Sequence, residues 1–236
     1  MKALIIDDER LARKELLRLL EAHGQIEVVG EAANADEAER SVAELKPDLL
    51  FLDINMPGRD GFELLEALDP APHVIFVTAY DEHAVKAFQV NAMDYLLKPI
   101  DPERLAAALD KLDNLPRTGS AERGILGPAD RIFIKDGERC WFVHLRDVRM
   151  LESEGNYVRV RFGENKPLVL RSLNNLEKKL DPQVFFRANR KQMINLAWVE
   201  KIEPWFSGGL NCTLGTGETV EVSRRQSLRF RELMSL

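Results

Sequence analysis

Residues 51–61 read FLDINMPGRDG: a run of apolar residues ends at Asp53, and Asn55 and the turn-forming pair Pro57–Gly58 follow. Similar short apolar runs occur four more times in the first half of the chain, and segments with helical spacing separate them. The five runs are ALII (3–6), EVVG (27–30), DLLFL (48–52), HVIFV (73–77) and DYLL (94–97). Near-continuous apolar strands that alternate with helices predict a parallel sheet covered on both faces, an α/β doubly wound domain.

Polar side chains follow or end these predicted strands. Asp7 and Asp8 follow the first strand, Asp53 ends the third, Thr78 ends the fourth and Lys98 follows the fifth. Each has an ordinary explanation alone, such as a helix cap or an exposed lysine. Ligands of open parallel sheets bind outside the carboxyl ends of the strands, so we expect the five side chains to form one site.

The residue types at this edge suit one chemistry. Clustered carboxylates repel one another unless a hard divalent cation relieves the repulsion, and oxygen-only ligands favour Mg²⁺. A carboxylate beside the metal can attack a phosphoryl group, and a lysine and a hydroxyl can then hold the product. Asp53 is the best nucleophile because the following turn exposes it at the end of its strand.

The charge of the chain divides between its halves. Residues 1–115 contain 12 Lys+Arg and 24 Asp+Glu, whereas residues 116–236 contain 21 and 15. This asymmetry predicts two domains with different partners, and the basic half is suited to a polyanion. No apolar run is long enough to span a bilayer and no secretory signal precedes the first strand, so we expect a cytoplasmic protein without membrane insertion. Two separated cysteines are expected to be free thiols.

The second half has a different pattern. Residues 113–129 are rich in Pro, Gly and small polar residues and are interpreted as a linker. Alternating segments such as YVRVRF (157–162) and the turns that separate them then predict a mostly antiparallel β domain with short helices. We therefore divide the chain into a first domain (1–115), a linker (116–129) and a second domain (130–236).

The first domain resembles the receiver domain of two-component response regulators. The resemblance rests on DDE (7–9), DINMP (53–57), Thr78-Ala79 and Lys98-Pro99, in this order. It implies that Asp53 is the phosphoacceptor for a sensor histidine kinase. It also implies a cis peptide bond between Lys98 and Pro99.

The resemblance further implies the roles of the neighbouring residues. Mg²⁺ is held by Asp8, Asp53 and the backbone carbonyl of Asn55, and Asp7 assists through water. Thr78 and Lys98 contact the phosphoryl group in catalytic roles, and Tyr95 is the switch residue. A phosphatase of the haloacid dehalogenase type uses similar groups, but it expects a second Asp where Asn55 stands.

The second domain resembles the LytTR output domain. LESEGNYVRVRF (151–162), FFRANRKQMINLAWVEKIEPW (185–205) and VEVSRRQ (220–226) carry this resemblance. It implies DNA binding through three loops of a β fold rather than through a helix-turn-helix. The implied DNA-facing residues are Asn156 and Tyr157, Arg190 and Lys191, and Arg225 with Arg224 beside it.

These features together predict a phosphorylation-dependent transcription regulator. We expect phosphorylation to drive homodimerisation through strand five and the last two receiver helices, and the dimer to bind double-stranded promoter DNA. We find no pattern of an enzymatic output, so self-catalysed Mg²⁺-dependent phosphotransfer and slow dephosphorylation are the only reactions expected. The alternative is a receiver joined to a protein-binding β module whose arginines contact an acidic partner.

Overall fold

The computed structural model describes residues 1–79, 94–112 and 125–233. The chain divides into two compact units. The first consists of Met1–Glu122 with Arg131–Phe142, and the second of Arg123–Asp130 with Val143–Leu236. None of the helices in the described part of the chain has the length and apolar character needed to cross a membrane.

The first unit contains a five-stranded parallel sheet with strand order β2-β1-β3-β4-β5. Two buried apolar clusters pack against the sheet, as expected when helices cover both faces. The doubly wound prediction is confirmed. The strands are β1 (Lys2–Ile6), β2 (Glu27–Ala32), β3 (Leu49–Leu52), β4 (His73–Thr78) and β5 (Asp94–Leu97), and the described helices are α1 (Arg10–Leu20), α2 (Ala35–Leu45), α3 (Gly61–Ala67) and α4 (Pro102–Asp110).

Side-chain caps fix where several of these helices begin. The Asn34 side chain accepts a hydrogen bond from the backbone of Glu37 at the start of α2. Asp60 and Glu63 form a reciprocal capping box at the start of α3, directly after the Asp53 loop. The cap at Asp60 therefore fixes where that loop ends. The spacing of apolar residues in HAVKAFQV (83–90) predicts a further helix, and this segment lies outside the described residues.

A two-stranded sheet formed by β6 (Arg131–Asp136) and β7 (Arg139–His144) packs against α3. Phe133 stacks on Phe62 of α3 with ring centroids 6.2 Å apart, and it also contacts Phe142 at 5.1 Å. The Ala71 amide donates a hydrogen bond to the Arg131 carbonyl at 2.9 Å. These contacts join residues 131–142 to the buried core of the first unit, although our sequence division assigned them to the second domain.

A buried cation accompanies this packing. The Arg131 guanidinium, whose residue is 7% exposed, donates to Nδ1 of His73 at 2.9 Å and lies 4.9 Å from the Phe142 ring centroid. Burial lowers the pKa of Arg131 to about 10. Contact with an aromatic face is one of the few favourable settings for a cation away from water.

The second unit is mostly antiparallel β structure, as predicted. One sheet has strand order β10-β9-β8-β12-β11, and a second has the order β13-β14-β15. Its strands are β8 (Val148–Glu154), β9 (Tyr157–Phe162), β10 (Leu168–Val169), β11 (Phe185–Arg187), β12 (Gln192–Asn195), β13 (Val199–Pro204), β14 (Leu210–Leu214) and β15 (Thr219–Val222), and its helices are α5 (Leu173–Lys179) and α6 (Arg224–Leu233). Phe230 of α6 is fully buried and packs edge-on against Phe186, with centroids 5.0 Å apart.

A peptide bond, the two cysteines and the end of the predicted linker are further features for which the sequence made a prediction. The Lys98–Pro99 peptide bond is cis, as expected. Both cysteines are buried free thiols, which confirms their prediction. Of the predicted linker, residues 125–129 are described, and the Leu126 amide donates to the Lys179 carbonyl at 2.6 Å. The end of this segment is therefore fixed to the second unit.

We expect Phe133→Ala to reduce the free energy of unfolding of the first unit by about 3–5 kcal/mol, because it leaves a cavity between two phenylalanine rings. Urea unfolding of the full chain, followed by hydrogen exchange in peptides from α3 and β4, measures this loss. Glu138→Ala, in the exposed turn between β6 and β7, is the matched control. A Phe133→Ala variant as stable as this control would contradict the packing role of the two strands.

Candidate functional site

Parallel pairing brings the predicted polar residues to one edge of the sheet. The Asp53 amide donates to the Ile6 carbonyl at 2.8 Å, and the Lys98 amide donates to the Thr78 carbonyl at 2.9 Å. The backbone pairing thus continues just past the strand ends, where these residues stand. Asp7, Asp53 and Thr78 are buried, and Asp8 is exposed. The expectation that the following turn exposes Asp53 is therefore wrong.

The Lys98 ammonium group joins two of these carboxylates. Its Nζ lies 2.6 Å from Oδ2 of Asp53 and 2.7 Å from Oδ2 of Asp7. The two other carboxylate oxygens each accept a backbone amide, from Asn55 at 3.0 Å and from Glu9 at 2.9 Å. All four oxygens therefore have a hydrogen-bond donor, which fixes the orientation of both carboxylates.

Burial and pairing act in opposite directions on the ionisation of this site. Burial raises the pKa of Asp7 above its ordinary value, and the hydrogen bond and charge of Lys98 offset only part of that rise. For Lys98, burial acts to lower the pKa, but hydrogen bonds to Asp53 and Asp7 outweigh it and the pKa is raised. The lysine is consequently held as a cation at neutral pH.

The acidic residues form a group that fits a metal ion. Asp7, Asp8 and Asp53 each offer one oxygen, and these oxygens all lie within 4.8 Å of one another. A site with oxygen ligands alone suits a hard divalent cation, and the exposed position of Asp8 leaves access for water. The Arg13 guanidinium donates to the Asp7 carbonyl at 2.7 Å and so holds the loop that carries two of the three residues. Arg13 was missed by the sequence analysis, since a helical arginine carries no distinctive signal.

Tyr95 lies on β5 beside a second charged cluster. The Tyr95 side chain is half-buried, and the Arg104 guanidinium lies 5.6 Å from its ring centroid. The buried carboxylate of Asp94 accepts hydrogen bonds from Arg104 at 2.9 Å and from Lys111 at 2.7 Å. These contacts connect β5 to the segment at α4, which belongs to the face predicted for dimerisation.

In the second unit, the predicted Asn156 and Tyr157 stand at one sheet end. Gly155 and Asn156 form the turn between β8 and β9, with Gly155 at a φ of 62°, and both predicted side chains are exposed. The Ser153 amide donates to the Lys191 carbonyl at 2.7 Å. The first predicted loop is therefore adjacent to the second.

Arg190 and Lys191 are exposed in the loop between β11 and β12, and two neighbours that the sequence analysis did not select for DNA contact hold this loop. Oδ1 of Asn189 accepts the amides of Lys191 and Gln192 at 2.8 and 3.0 Å. Arg187 donates to the carbonyls of Asn189 and Arg190, both at 2.7 Å. Arg187 is thus used internally and is not part of the exposed cation group.

The third predicted loop meets the same region. Arg224 and Arg225 begin α6, and both are exposed. The Ser223 amide, directly before them, donates to the Ala188 carbonyl at 3.0 Å, and Nδ2 of Asn189 donates to the Glu221 carbonyl at 2.8 Å. The structure therefore brings all three predicted loops together, through residues that a sequence pattern does not connect.

Family models match both units. Residues 3–110 match the response regulator receiver domain, and residues 138–235 match the LytTr DNA-binding domain. A receiver joined to this output defines a two-component, DNA-binding transcription regulator. The chain belongs to the response regulators with a LytTR-type DNA-binding domain, and the predicted family is confirmed.

Relatives match this chain over their whole length. The chain is 35% identical over 243 residues to the sensory transduction protein LytT of Enterococcus faecalis, with all of both chains covered. It is 38% identical to the transcriptional regulatory protein BtsR of Salmonella typhi, again with both chains covered completely. The response regulatory domain of mrkE from Klebsiella pneumoniae is a similar solved structure, with 40% identity, a TM-score of 0.43, and coverage of 48% of this chain and 95% of that domain.

We expect Asp94→Asn to destabilise the first unit at pH 7 by about 1–2 kcal/mol, since it removes a charge bonded to two half-exposed cations. Burial acts to raise the pKa of Asp94, but hydrogen bonds from Arg104 and Lys111 outweigh it, so the pKa is lowered. A lowered carboxyl pKa contributes stability above the unfolded value of 3.8, and this stability is lost as the pH falls through the folded value.

The difference between wild type and Asp94→Asn should therefore shrink below pH 3.8. Urea unfolding at pH 7 and at decreasing pH measures it. Asp110→Asn, at an exposed position at the end of α4, is the control. A difference that stays constant over this range would show that the charge of Asp94 is not what stabilises the unit.

Proposed function

We propose that this protein accepts a phosphoryl group on Asp53 from a sensor histidine kinase and then dimerises and binds promoter DNA. The observation that carries this proposal is that the Lys98 ammonium group contacts the carboxylates of both Asp53 and Asp7, beside the exposed Asp8. In this proposal, an Asp53 oxygen attacks phosphorus as the N–P bond of the kinase phosphohistidine breaks. The histidine keeps the electron pair of that bond.

The surrounding residues prepare Asp53 for this step. The amide of Asn55 fixes one carboxylate oxygen, and Lys98 lies at the other, where it can pair with the charge of the added phosphoryl group. Thr78, fully buried at the end of the adjacent strand, would donate its hydroxyl to a phosphoryl oxygen. Slow dephosphorylation at the same residue is the only other reaction we assign, and we propose no enzymatic output.

The acidic group is proposed to hold Mg²⁺ through Asp8, Asp53 and the Asn55 carbonyl, with Asp7 assisting through water. The bound ion would supply positive charge against the phosphoryl oxygens. The donor set supports this assignment because it consists of oxygen atoms alone. Without the ion, Lys98 is the cation that compensates the two buried carboxylates.

We further propose that Tyr95 transmits the modification to a dimer. It lies on β5, three residues before Lys98, and it contacts Arg104 of α4. A phosphoryl group that engages Lys98 and Thr78 would favour one position of Tyr95 and so bias a two-state face. The proposed location of the protein is the cytoplasm, where its kinase partner and DNA are accessible.

We expect the wild-type protein to gain a phosphoryl mass with acetyl phosphate and Mg²⁺, and Asp53→Asn to gain none, because the amide is not a nucleophile of this kind. Intact mass spectrometry measures the modification, and sedimentation of the same samples should show a dimer only where it occurred. Asp36→Asn, an exposed substitution on α2, should behave as wild type. A modified Asp53→Asn variant, or a modified wild type that stays monomeric, would refute the corresponding assignment.

For the DNA interface, we expect Arg225→Ala to lose about 1–3 kcal/mol of discrimination between a specific site and unrelated DNA, as for a base-contacting arginine. Lys191→Ala should weaken both kinds of binding about equally and reduce the salt slope by about 1, as for a phosphate contact. Titrations of upstream DNA at several salt concentrations measure both quantities, with Lys178→Ala on exposed α5 as the control. If both variants bind like this control, the arginines and lysines serve a different partner.

A further inference from the structure

The loop between β13 and β14 exposes two adjacent aromatic side chains. Trp205 is 43% exposed and Phe206 is 78% exposed, and their rings meet edge to face with centroids 5.0 Å apart. Among the described residues, the third exposed aromatic side chain is Tyr157, which lies in a loop already assigned to DNA contact. The pair is therefore an apolar surface that the fold of its own unit does not cover.

The backbone of this loop is closely held. The Trp205 amide donates to the Gly209 carbonyl at 3.0 Å, and the Gly209 amide donates to the Phe206 carbonyl at 3.2 Å. Gly208 has a φ of 80°, a conformation that favours glycine. A Cβ at Gly209 would lie 2.9 Å from the Val222 carbonyl oxygen, so a larger residue does not fit there. The aromatic rings are thus presented on a fixed turn.

Strand register places this turn beside the start of α6. Pro204, Leu210 and Val222 are aligned across β13, β14 and β15, so the turn and Ser223 extend from the same end of the sheet. The Ser227 hydroxyl is shared between two carbonyl oxygens, that of Gly208 at 3.1 Å and that of Arg224 at 2.8 Å. A Cβ at Gly208 would lie 3.7 Å from Cγ of Arg224. The aromatic turn is therefore adjacent to Arg224 of the third predicted loop.

The charges around the turn indicate what it contacts. Arg224 and Arg225 are exposed beside it, and the hydrogen bonds of Ala188 and Asn189 connect this region to the loop of Arg190 and Lys191. Glu203, the acidic residue nearest in sequence, is paired with Lys201 at 2.9 Å. Cations at this surface can approach backbone phosphates, so an apolar surface that they border is complementary to nucleic acid.

We propose that Trp205 and Phe206 form a fourth DNA contact of this domain. Their rings pack against deoxyribose and base edges next to the phosphates that Arg224 and Arg225 approach. Apolar side chains make such contacts with sugars and thymine methyl groups, and they contribute affinity without releasing counterions. The proposal rests on the DNA-facing loops assigned above and adds to them a contact whose strength does not depend on salt.

The test measures the affinity of the full-length protein for its upstream DNA at several salt concentrations. Trp205→Ala and Phe206→Ala should each weaken binding about 10-fold, because each removes one large buried apolar contact. The salt slope should stay at its wild-type value, in contrast to Lys191→Ala. Trp205→Phe should retain most of the affinity. Leu11→Ala, at a position 79% exposed on α1, is the apolar control and should bind as wild type.

A second readout uses the tryptophan itself. Trp141 is buried and Trp198 is half-buried with its Nε1 bonded to the Arg146 carbonyl, so acrylamide quenching reports mainly on Trp205. DNA should protect the fluorescence from acrylamide, and Trp205→Phe should remove this protection.

The outcomes separate this proposal from the proposed function. Wild-type binding to upstream DNA, with alanine variants within about 2-fold of it and no protection from acrylamide, would overturn the aromatic contact alone. Alanine variants that change the oligomeric mass in sedimentation but not the affinity for DNA would also overturn the aromatic contact, because the turn would then join copies of the chain. A wild type that binds none of the DNA would overturn both.

Discussion

The electrostatics of the first unit depend on one ammonium group held between two buried carboxylates. Asp53 and Asp7 lie at neighbouring strand ends because β1 and β3 pair directly, and the sheet brings their negative charges together. Lys98 reaches both from the end of β5, two strands away from β3 in the sheet order. Burying like charges is costly unless a cation compensates them. The order of the strands is thus tied to the chemistry of the site.

In the second unit, too, a few polar contacts hold the site together, but these contacts are hydrogen bonds between amides and carbonyls. Asn189 uses both atoms of its side-chain amide, one for the turn that carries Lys191 and one for the Glu221 carbonyl of another sheet. Three loops that are distant in sequence therefore share one rigid region. A preorganised surface loses less conformational entropy on binding, so exposed side chains on these loops can contribute more of their contact energy to affinity.

The strands at residues 131–142 change the description of the chain as two domains and a linker. Phe133 completes an aromatic series with Phe62 and Phe142, and Arg131 is buried against His73. These residues follow the linker in sequence but belong to the core of the first unit. The family match to the DNA-binding domain begins at residue 138, within this pair of strands. A boundary in sequence composition is therefore not the boundary of a packed unit.

Much of this protein can be predicted from the sequence. Apolar runs of strand length separated by helical spacing specify the parallel sheet, and the direction of parallel strands then places Asp7, Asp53, Thr78 and Lys98 at one edge. These rules act over short stretches of sequence, because each polar residue at a strand end lies at the end of its own apolar run. Alternating apolar residues likewise predicted the antiparallel second half, and the motifs in both halves identified the family.

Other features were decided only by tertiary structure. Phe133 packs on Phe62, which lies 71 positions earlier in the sequence. The alternating pattern of RIFIKDG predicts a strand, but it does not indicate against which surface that strand packs. Arg187 is close in sequence to the cations Arg190 and Lys191, but in the structure its guanidinium donates to two carbonyls of its own loop. The glycines after Trp205 are typical of an exposed loop, but only the register of β13, β14 and β15 places Trp205 and Phe206 beside Arg224. Local sequence encodes the period and direction of each element, whereas which side chains meet depends on packing between elements that the local pattern does not contain.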